Sequence, residues 1–443
     1  MPGHPSLEIN ARSGGARAGV LRCAHGEVRT PAFVPLASTA TVRSLHAGEV
    51  AALGYDMVLG NTFHLFLEPG HELIERMGGL HEFMAWRRPI ITDSGGFQVF
   101  SMGHGSVAEE IKRRRGDRQS KILSIEEEGV RFRSYLNGEE RFMGPETSME
   151  IQAALGSDVV LAFDECTPFH VDREYTARAT ERTHRWLDRC VSWRREHAPA
   201  GQLFFGIVQG GVYQDLRGES AQRIAASDAD GVAVGGSLGQ EKDGMIEVVR
   251  WSLAPVPEEK PRHLLGIGDV DDVVAAVDAG IDTFDCATPT RLARHGTALV
   301  ADPEGRWRLD LTKARHRESR EPIAPDCPCP ACREHTRGYL HHLARTNELT
   351  GARLITLHNL TFMKALMDGI REAILAGAYA EHARAILGGA SPYAGGGGGG
   401  GGGPEGAPYP GGGGPEGAPY PGGGTPAGDS HGPPYPGGIP AGG

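Results

Sequence analysis

Short apolar or β-branched runs, each ending on a polar residue or a glycine, recur along most of the chain, and stretches of helical periodicity lie between many of them. Eight such runs stand out, at 32–36, 57–61, 89–93, 158–164, 203–209, 231–236, 263–268 and 281–285. Strands that alternate with helices predict a parallel sheet, and eight is the strand number of a closed (β/α)8 TIM barrel. One link shows the grammar closely. Asp269 is placed to cap a helix whose Val270, Val273, Val274 and Val277 recur at helical spacing, and Gly280 ends it. The chain then enters IDTFD, so Asp285 falls at the C-terminal end of a strand, as do Asn61, Asp93, Asp164 and Gln209. In barrels of this kind the C-terminal rim collects the reactive groups. A doubly wound open sheet is the alternative; eight strands and the lack of G-x-G-x-x-G after the first one weigh against it.

The pattern stops near Tyr393. Nine consecutive glycines follow Ala394, then GPEGAPYPGGG appears at 403–413 and again at 414–424. Such a segment has almost nothing apolar to bury and cannot offset its ordering entropy, so 1–392 is expected to be the folded domain and 393–443 a disordered tail. The repeat lacks glycine at every third position, which excludes a collagen helix.

Charge narrows the partners. The formal net charge of −11 argues against unselective wrapping of nucleic acid, which is driven by phosphate neutralisation. An RNA partner would have to meet a local basic patch, and two are present: 306–320, where six Lys/Arg stand against two acids, and 112–115. Charge alone is equally satisfied by two solvated surfaces. No apolar run approaches 18 residues and the first residues lack a signal-peptide layout, so a soluble cytoplasmic protein without membrane contact is expected.

Three of the seven cysteines fall within six residues, Cys327-Pro-Cys329-Pro-Ala-Cys332, and His358 follows. Three thiolates and an imidazole make a closed, structural tetrahedral zinc site, one Zn2+ per chain, although His335, His341 and His342 lie nearer in sequence. At 90–98, IITDSGGFQ puts Asp93 where a strand breaks into a glycine turn, whose N–H groups can bond the carboxylate and lower its pKa. Asp285, in FDCATPTRLAR with Arg291 and Arg294 close behind, is a second rim carboxylate. Two carboxylates flanking an N-glycosidic bond can divide the labour, one attacking the anomeric carbon and the other moving protons. FDECTP (163–168), GIVQGG (206–211) and AVGGSLGQE (233–241) add a carboxylate at Asp164, an amide at Gln209 and a backbone N–H at Gly236, a set that matches the edge of a guanine-like base. Taken singly, each is an ordinary glycine turn, and GIVQGG alone would also suit a phosphate.

TDSGGFQVFS, AFDECTP, GIVQGG, GIGDV, FDCATPTRLARHG and the cysteine cluster with its histidine stand in the order and approximate spacing of bacterial-type tRNA-guanine transglycosylases, which this chain resembles over roughly residues 7–388. The resemblance implies a TIM barrel with a zinc-binding subdomain inserted near its C-terminus, at about 313–360, His358 as the fourth ligand, and a homodimer formed partly through Tyr339 and His342. It implies Asp285 as a nucleophile on the ribose of tRNA position 34 and Asp93 as the general acid/base. Asp164, Gln209 and Gly236 would read the base, Phe97 and Leu265 would stack on its two faces, Asn61 would steady the nucleophile region, and Arg291 and Arg294 would meet tRNA. The tRNAs implied carry a G-U-N anticodon, and the incoming base is a 7-deazaguanine of queuosine biosynthesis.

One departure bears on which base. Ser237-Leu238-Gly239-Gln240 replaces the usual bacterial Leu-Ala/Ser-Val-Gly, so Gly239 stands where queuine-using relatives carry glycine, whereas Cys166 is the bacterial choice. The expected base is 7-aminomethyl-7-deazaguanine (preQ1), with queuine as the alternative. A phosphate-gripping metabolic barrel and a non-catalytic tRNA-binding subunit are the competing classes. The first leaves the paired aspartates without a purpose, and retention of both speaks against the second.

Overall fold

The computed structural model describes residues 6–104, 121–168, 170–239 and 242–393; the basic cluster at 112–115 and the glycine-rich segment from 394 lie outside them. Three antiparallel strands come first, β1 (Leu7–Ser13), β2 (Ala16–Cys23) and β3 (Gly26–Thr30). The barrel strands follow as β4 (Ala32–Ala37), β5 (Val58–Gly60) and β6 (Ile90–Thr92). A second antiparallel sheet, β7 (Ile122–Ile125), β8 (Val130–Arg133) and β9 (Glu140–Met143), interrupts them. The barrel resumes with β10 (Val159–Leu161), β11 (Leu203–Val208), β12 (Gly231–Val234), β13 (Arg262–Leu264) and β14 (Thr283–Cys286). β14 pairs with β4 and β6 with β10, all in parallel, so the eight strands close on themselves.

All eight apolar runs are therefore the eight barrel strands. They read as continuous apolar runs because both faces are buried. Inward-facing Val34, Leu59, Ile91, Val159, Leu161, Phe205, Ile207 and Ala233 form one core with Leu7, Leu21 and Val28 of the first sheet, which plugs the barrel's N-terminal end. Their neighbours Phe33, Val58, Ile90, Val160, Phe204, Val208 and Val232 point outward into the larger core under the helices. Ladder pairing stops before the expected limits: Asn61, Asp93 and Gln209 lie one residue beyond a strand, and Asp164 three beyond. Those backbones leave the ladder to turn over the rim.

The plug is tied down by buried charge. Arg17 Nε and Nη2 donate to Asp282 at 2.8 and 2.5 Å, both side chains being almost wholly buried. Asp158 accepts from His25 N, His25 Nδ1 and Ile90 N. Burial works against its charge, but bonds from His81, Ile90 and His25 hold its carboxyl below the usual range.

Asp269 stands at the N-cap of helix Val270–Asp278, and Gly280 follows the helix at φ +89. Its side chain does not cap. It accepts instead from Arg308 at 2.9 Å, a charge-assisted bond that outcompetes the cap.

After β14 come helix Thr288–Arg294, the hairpin β15 (Thr297–Leu299) and β16 (Arg308–Asp310), and helices Pro330–Glu334 and Arg337–Arg345. Within the basic segment 306–320, Arg308 and Lys313 are thus neutralised, by Asp269 and by Asp310. Helix Leu349–Leu375 then returns to the barrel. Its first turns bury Leu354 and Ile355 among Cys327, Cys329 and Cys332, while Phe362, Met363, Leu366 and Ile370 belong to the main core. Among the described residues no helix is long and apolar enough to cross a membrane.

Candidate active site

Asp93 follows β6 and is half-buried. Its Oδ1 accepts from Thr62 N at 2.9 Å; its Oδ2 accepts from Gln98 Nε2 at 3.2 Å and from Asn61 Nδ2. Asn61 also caps helix Thr62–Leu67 through its Oδ1, which takes the His64 N–H, so the cap fixes the amide that meets Asp93. The glycine turn was expected to lower the pKa of Asp93. The reverse holds: burial pushes it up to about 7, the Thr62 N–H opposes the rise, and the charge of Asp285 adds to it. Desolvation and a like charge outweigh the donors.

Asp285 is the penultimate residue of the eighth barrel strand and is buried. His263 Nε2 lies 3.1 Å and Gly266 N 3.2 Å from its Oδ1, while Oδ2 has no partner among the described residues. His263 is itself buried, and its Nδ1 lies 2.8 Å from the Thr283 hydroxyl. With Nδ1 accepting from Thr283, Nε2 carries the proton and donates to Asp285, which fixes the carboxylate's orientation.

A second constellation is built from Asp164, Ser94 and Gln209. Ser94 Oγ donates to Asp164 Oδ1 at 2.7 Å and Gln209 Nε2 to Oδ2 at 2.6 Å; burial nevertheless pushes the Asp164 carboxyl up to about 6. Gln209 Oε1 is buried without a hydrogen-bond partner. Gly236, at φ +77, comes so close that a Cβ there would lie 2.3 Å from this oxygen, so only glycine lets the two loops approach. Cys166 is half-buried, and burial pushes its thiol up to about 12, so it is a neutral wall. Phe97 is 49% exposed, unusual for phenylalanine, and Leu265 is half-buried. Gly239 is exposed at φ +103.

Arg291 and Arg294 are exposed on helix Thr288–Arg294. Arg294 has its pKa lowered by partial burial and by the charges of Arg43 and Arg291, so three guanidinium groups gather here, none ion-paired to a carboxylate among the described residues. Sequence reasoning named two of them. It did not name Arg43, Ser94, Thr62 or His263, whose partners are remote in the chain, nor Gln98, which meets Asp93 only five residues away. The alternation of His263 within its strand and the N-cap signal of Asn61 before Thr62 were the available cues.

The candidate metal ligands, three cysteines grouped by their spacing and His358 implied by the resemblance, converge. Nδ1 of His358 faces the Sγ atoms of Cys327, Cys329 and Cys332 at 3.5, 3.7 and 3.2 Å. Tetrahedral zinc with ordinary Zn–S and Zn–N bonds would separate S from N by about 3.6 Å. All four are buried, and His358 Nε2 bonds Leu299 O at 2.7 Å, which leaves Nδ1 free to ligate. The group therefore fits a closed metal site, and His335, His341 and His342 are not part of it.

The family model described as queuine tRNA-ribosyltransferase matches residues 12–390. The queuine tRNA-ribosyltransferase of Roseiflexus sp. (strain RS-1) is 48% identical over 393 residues, 86% of this chain and 98% of that protein. The protein of the same description from Pelotomaculum thermopropionicum is 48% identical over 373 residues, covering 84% and 94%. The one from Bacillus subtilis (strain 168) is 44% identical over 361 residues, covering 81% and 89%. A rim with two interacting carboxylates, a closed barrel beneath it and similarity over nearly all the described residues agree: the chain belongs to the queuine tRNA-ribosyltransferase family of pentosyltransferases.

Proposed function

We propose that this enzyme exchanges guanine 34 of tRNAs with a G-U-N anticodon for 7-aminomethyl-7-deazaguanine, through a covalent aspartyl–ribose intermediate. The observation that carries the reading is the contrast between the two rim carboxylates: Asp285 is oriented and keeps one oxygen unpartnered, whereas Asp93 holds a proton up to about pH 7. The unpartnered oxygen of Asp285 attacks C1′ of the ribose; the C1′–N9 bond breaks, and the departing guanine takes the proton of Asp93. The Asp93 carboxylate then accepts the N9 proton of the incoming base, N9 attacks C1′, and the C1′–O bond to Asp285 breaks. Both carboxylates return to their starting states.

Asp164, Gln209 and Gly236 read the base edge while Phe97 and Leu265 stack on its faces. The orphaned Gln209 Oε1 and the exposed Phe97 ring are groups that a planar base with N–H donors would satisfy. Arg43, Arg291 and Arg294 take the backbone of an anticodon loop whose base is splayed out of its stack. Zinc at Cys327, Cys329, Cys332 and His358 is structural, and Tyr339, 43% exposed beside His335, belongs with His342 to a homodimer contact.

Incubating the protein with G-U-N tRNA without free base, then denaturing it, tests the intermediate. A protein–tRNA adduct is expected, and its persistence in Asp285→Ala would remove Asp285 as nucleophile. Competition between 7-aminomethyl-7-deazaguanine and queuine tests the base. Glycine in place of valine at 239 enlarges one wall, but such a change shifts specificity by only ~1–3 kcal/mol in a packing-defined pocket. Queuine preference reversed by Gly239→Val would overturn the assignment.

A further inference from the structure

Helix Gln214–Ala225 carries a charged side chain that the chemistry above does not use. Arg217 is fully buried, with no carboxylate ion-paired to it among the described residues. Its guanidinium instead donates to four backbone carbonyls: Nε to Gly211 O at 2.7 Å, Nη1 to Val208 O at 3.0 Å and Gly235 O at 2.8 Å, and Nη2 to Ser237 O at 3.1 Å. Two acceptors belong to the turn that carries Gln209, and two flank Gly236.

The β11–β12 register runs from Phe205↔Gly231 to Val208↔Val234 and ends with the bond from Gly235 N to Val208 O. Beyond that point the two chains continue as glycine turns, with Gly210, Gly211 and Gly236 all at positive φ, and such segments lose much entropy on being held still. The guanidinium takes over where the ladder stops and spans the gap. Ser220, one helical turn further along the same helix, accepts the Gln209 N–H at 3.2 Å, so this helix grips the recognition turn at two points. Gly210 shows how closely: a Cβ there would lie 2.8 Å from the Arg217 backbone nitrogen.

We propose that Arg217 is the positioning residue that sets the distance between Gln209 and Gly236, and thereby the affinity of the pocket for its purine-like base; this rests on the function proposed above. Only arginine offers donors in one rigid plane that reach four carbonyls at once. A lysine ammonium keeps the charge but radiates its donors from one atom.

The test compares wild type with Arg217→Lys and Arg217→Ala, each first checked for its bound zinc and a cooperative melting transition. In Arg217→Lys, KM for the base should rise on the order of tenfold or more, while kcat at saturating base and the yield of tRNA adduct without base stay within about twofold. Millimolar guanidinium ion should lower the raised KM of Arg217→Ala towards the wild-type value. A merely structural role would lower the active fraction, and so kcat, with KM unchanged, and that result overturns the proposal. So does loss of the melting transition in both variants, since the guanidinium would then support the whole barrel. The wild-type control separates the two ideas: no exchange by wild type sinks the proposed function, whereas normal wild-type exchange with an unaltered KM in Arg217→Lys sinks only the positioning role.

Discussion

At the metal corner every ring nitrogen of His358 has a partner, Nδ1 facing three sulfurs and Nε2 the Leu299 carbonyl. At the barrel rim Gln209 Oε1 and Gln98 Oε1 are buried without partners, Asp285 keeps a bare oxygen, and Asp93 and Asp164 hold protons that ordinary carboxyls would have lost. Both regions bury polar groups at a cost in desolvation. The metal corner recovers that cost within the chain, where a bound metal ion adds folding free energy, whereas the rim leaves it uncompensated. The difference teaches where this fold is stabilised and where it is held ready to react.

The comparison breaks most visibly at a ligand. Cys329→Ser should lose the metal and lower the melting midpoint on the order of 10 °C, because a structural site contributes several kcal/mol. Elemental analysis and thermal scans check it; full zinc retention in the variant would remove Cys329 from the ligand set.

The rim predicts the opposite sign. Asp93→Asn should cut turnover by roughly 10²–10⁴ yet raise the melting midpoint. Asp93 in the folded chain has a pKa of about 7 against an ordinary 3.8, so its effect on stability is absent below about pH 4. As pH rises towards 7 the unfolded chain ionises first and stability falls; above 7 the whole penalty is present. The gain in Asp93→Asn should therefore be a few degrees at pH 8 and vanish near pH 4. A lower midpoint at pH 8 would make the rim a stabilising site like the metal corner.

The same group sharpens the contrast kinetically. Because Asp93 must be ionised to accept the proton of the incoming base, kcat/KM for that base should fall in acid, with a break below 7, since Asp285 is esterified at that stage and its charge no longer raises the Asp93 pKa. A profile flat down to pH 5 would place the proton acceptor elsewhere.

The smallest effect concerns the C-terminal end. Removing 394–443 should leave the midpoint unchanged, since that composition offers no core to lose. Extending the deletion to Tyr393, whose ring packs against Phe362 with centroids 6.3 Å apart, should cost only a degree or two. Scanning both truncations side by side checks this, and a drop of many degrees for the shorter deletion would show that the segment docks.

Much of the architecture was legible in the chain. The barrel strands announced themselves because each is buried on both faces and so reads as an unbroken apolar run, and the cysteines because three thiols within six residues have few other uses. The sheets β1–β3 and β7–β9 and the hairpin β15–β16 did not, because charge is mixed into their pattern: Leu7–Ser13 carries Glu8 and Arg12, Ala16–Cys23 carries Arg17 and Arg22, and Glu140–Met143 buries only its last residue. At the site, residue types at strand ends could be named as candidates. Their partners could not, since Ser94 finds Asp164, and Asn61 finds Asp93, only after the strands have brought their ends to one rim.

The order of the eight barrel strands, the grouping of three cysteines with His358, and Asp93 and Asp285 as rim candidates follow from the sequence by itself, through periodicity, spacing and resemblance. Where the protons sit does not. The TDSGG turn argued for a lowered pKa at Asp93, and the donors are present, yet burial and the approach of Asp285 reverse the outcome. Asp269 likewise occupies a cap position and bonds Arg308 instead. Desolvation and charge–charge energies depend on distance and on what excludes water, and both are set only when segments remote in the chain pack together.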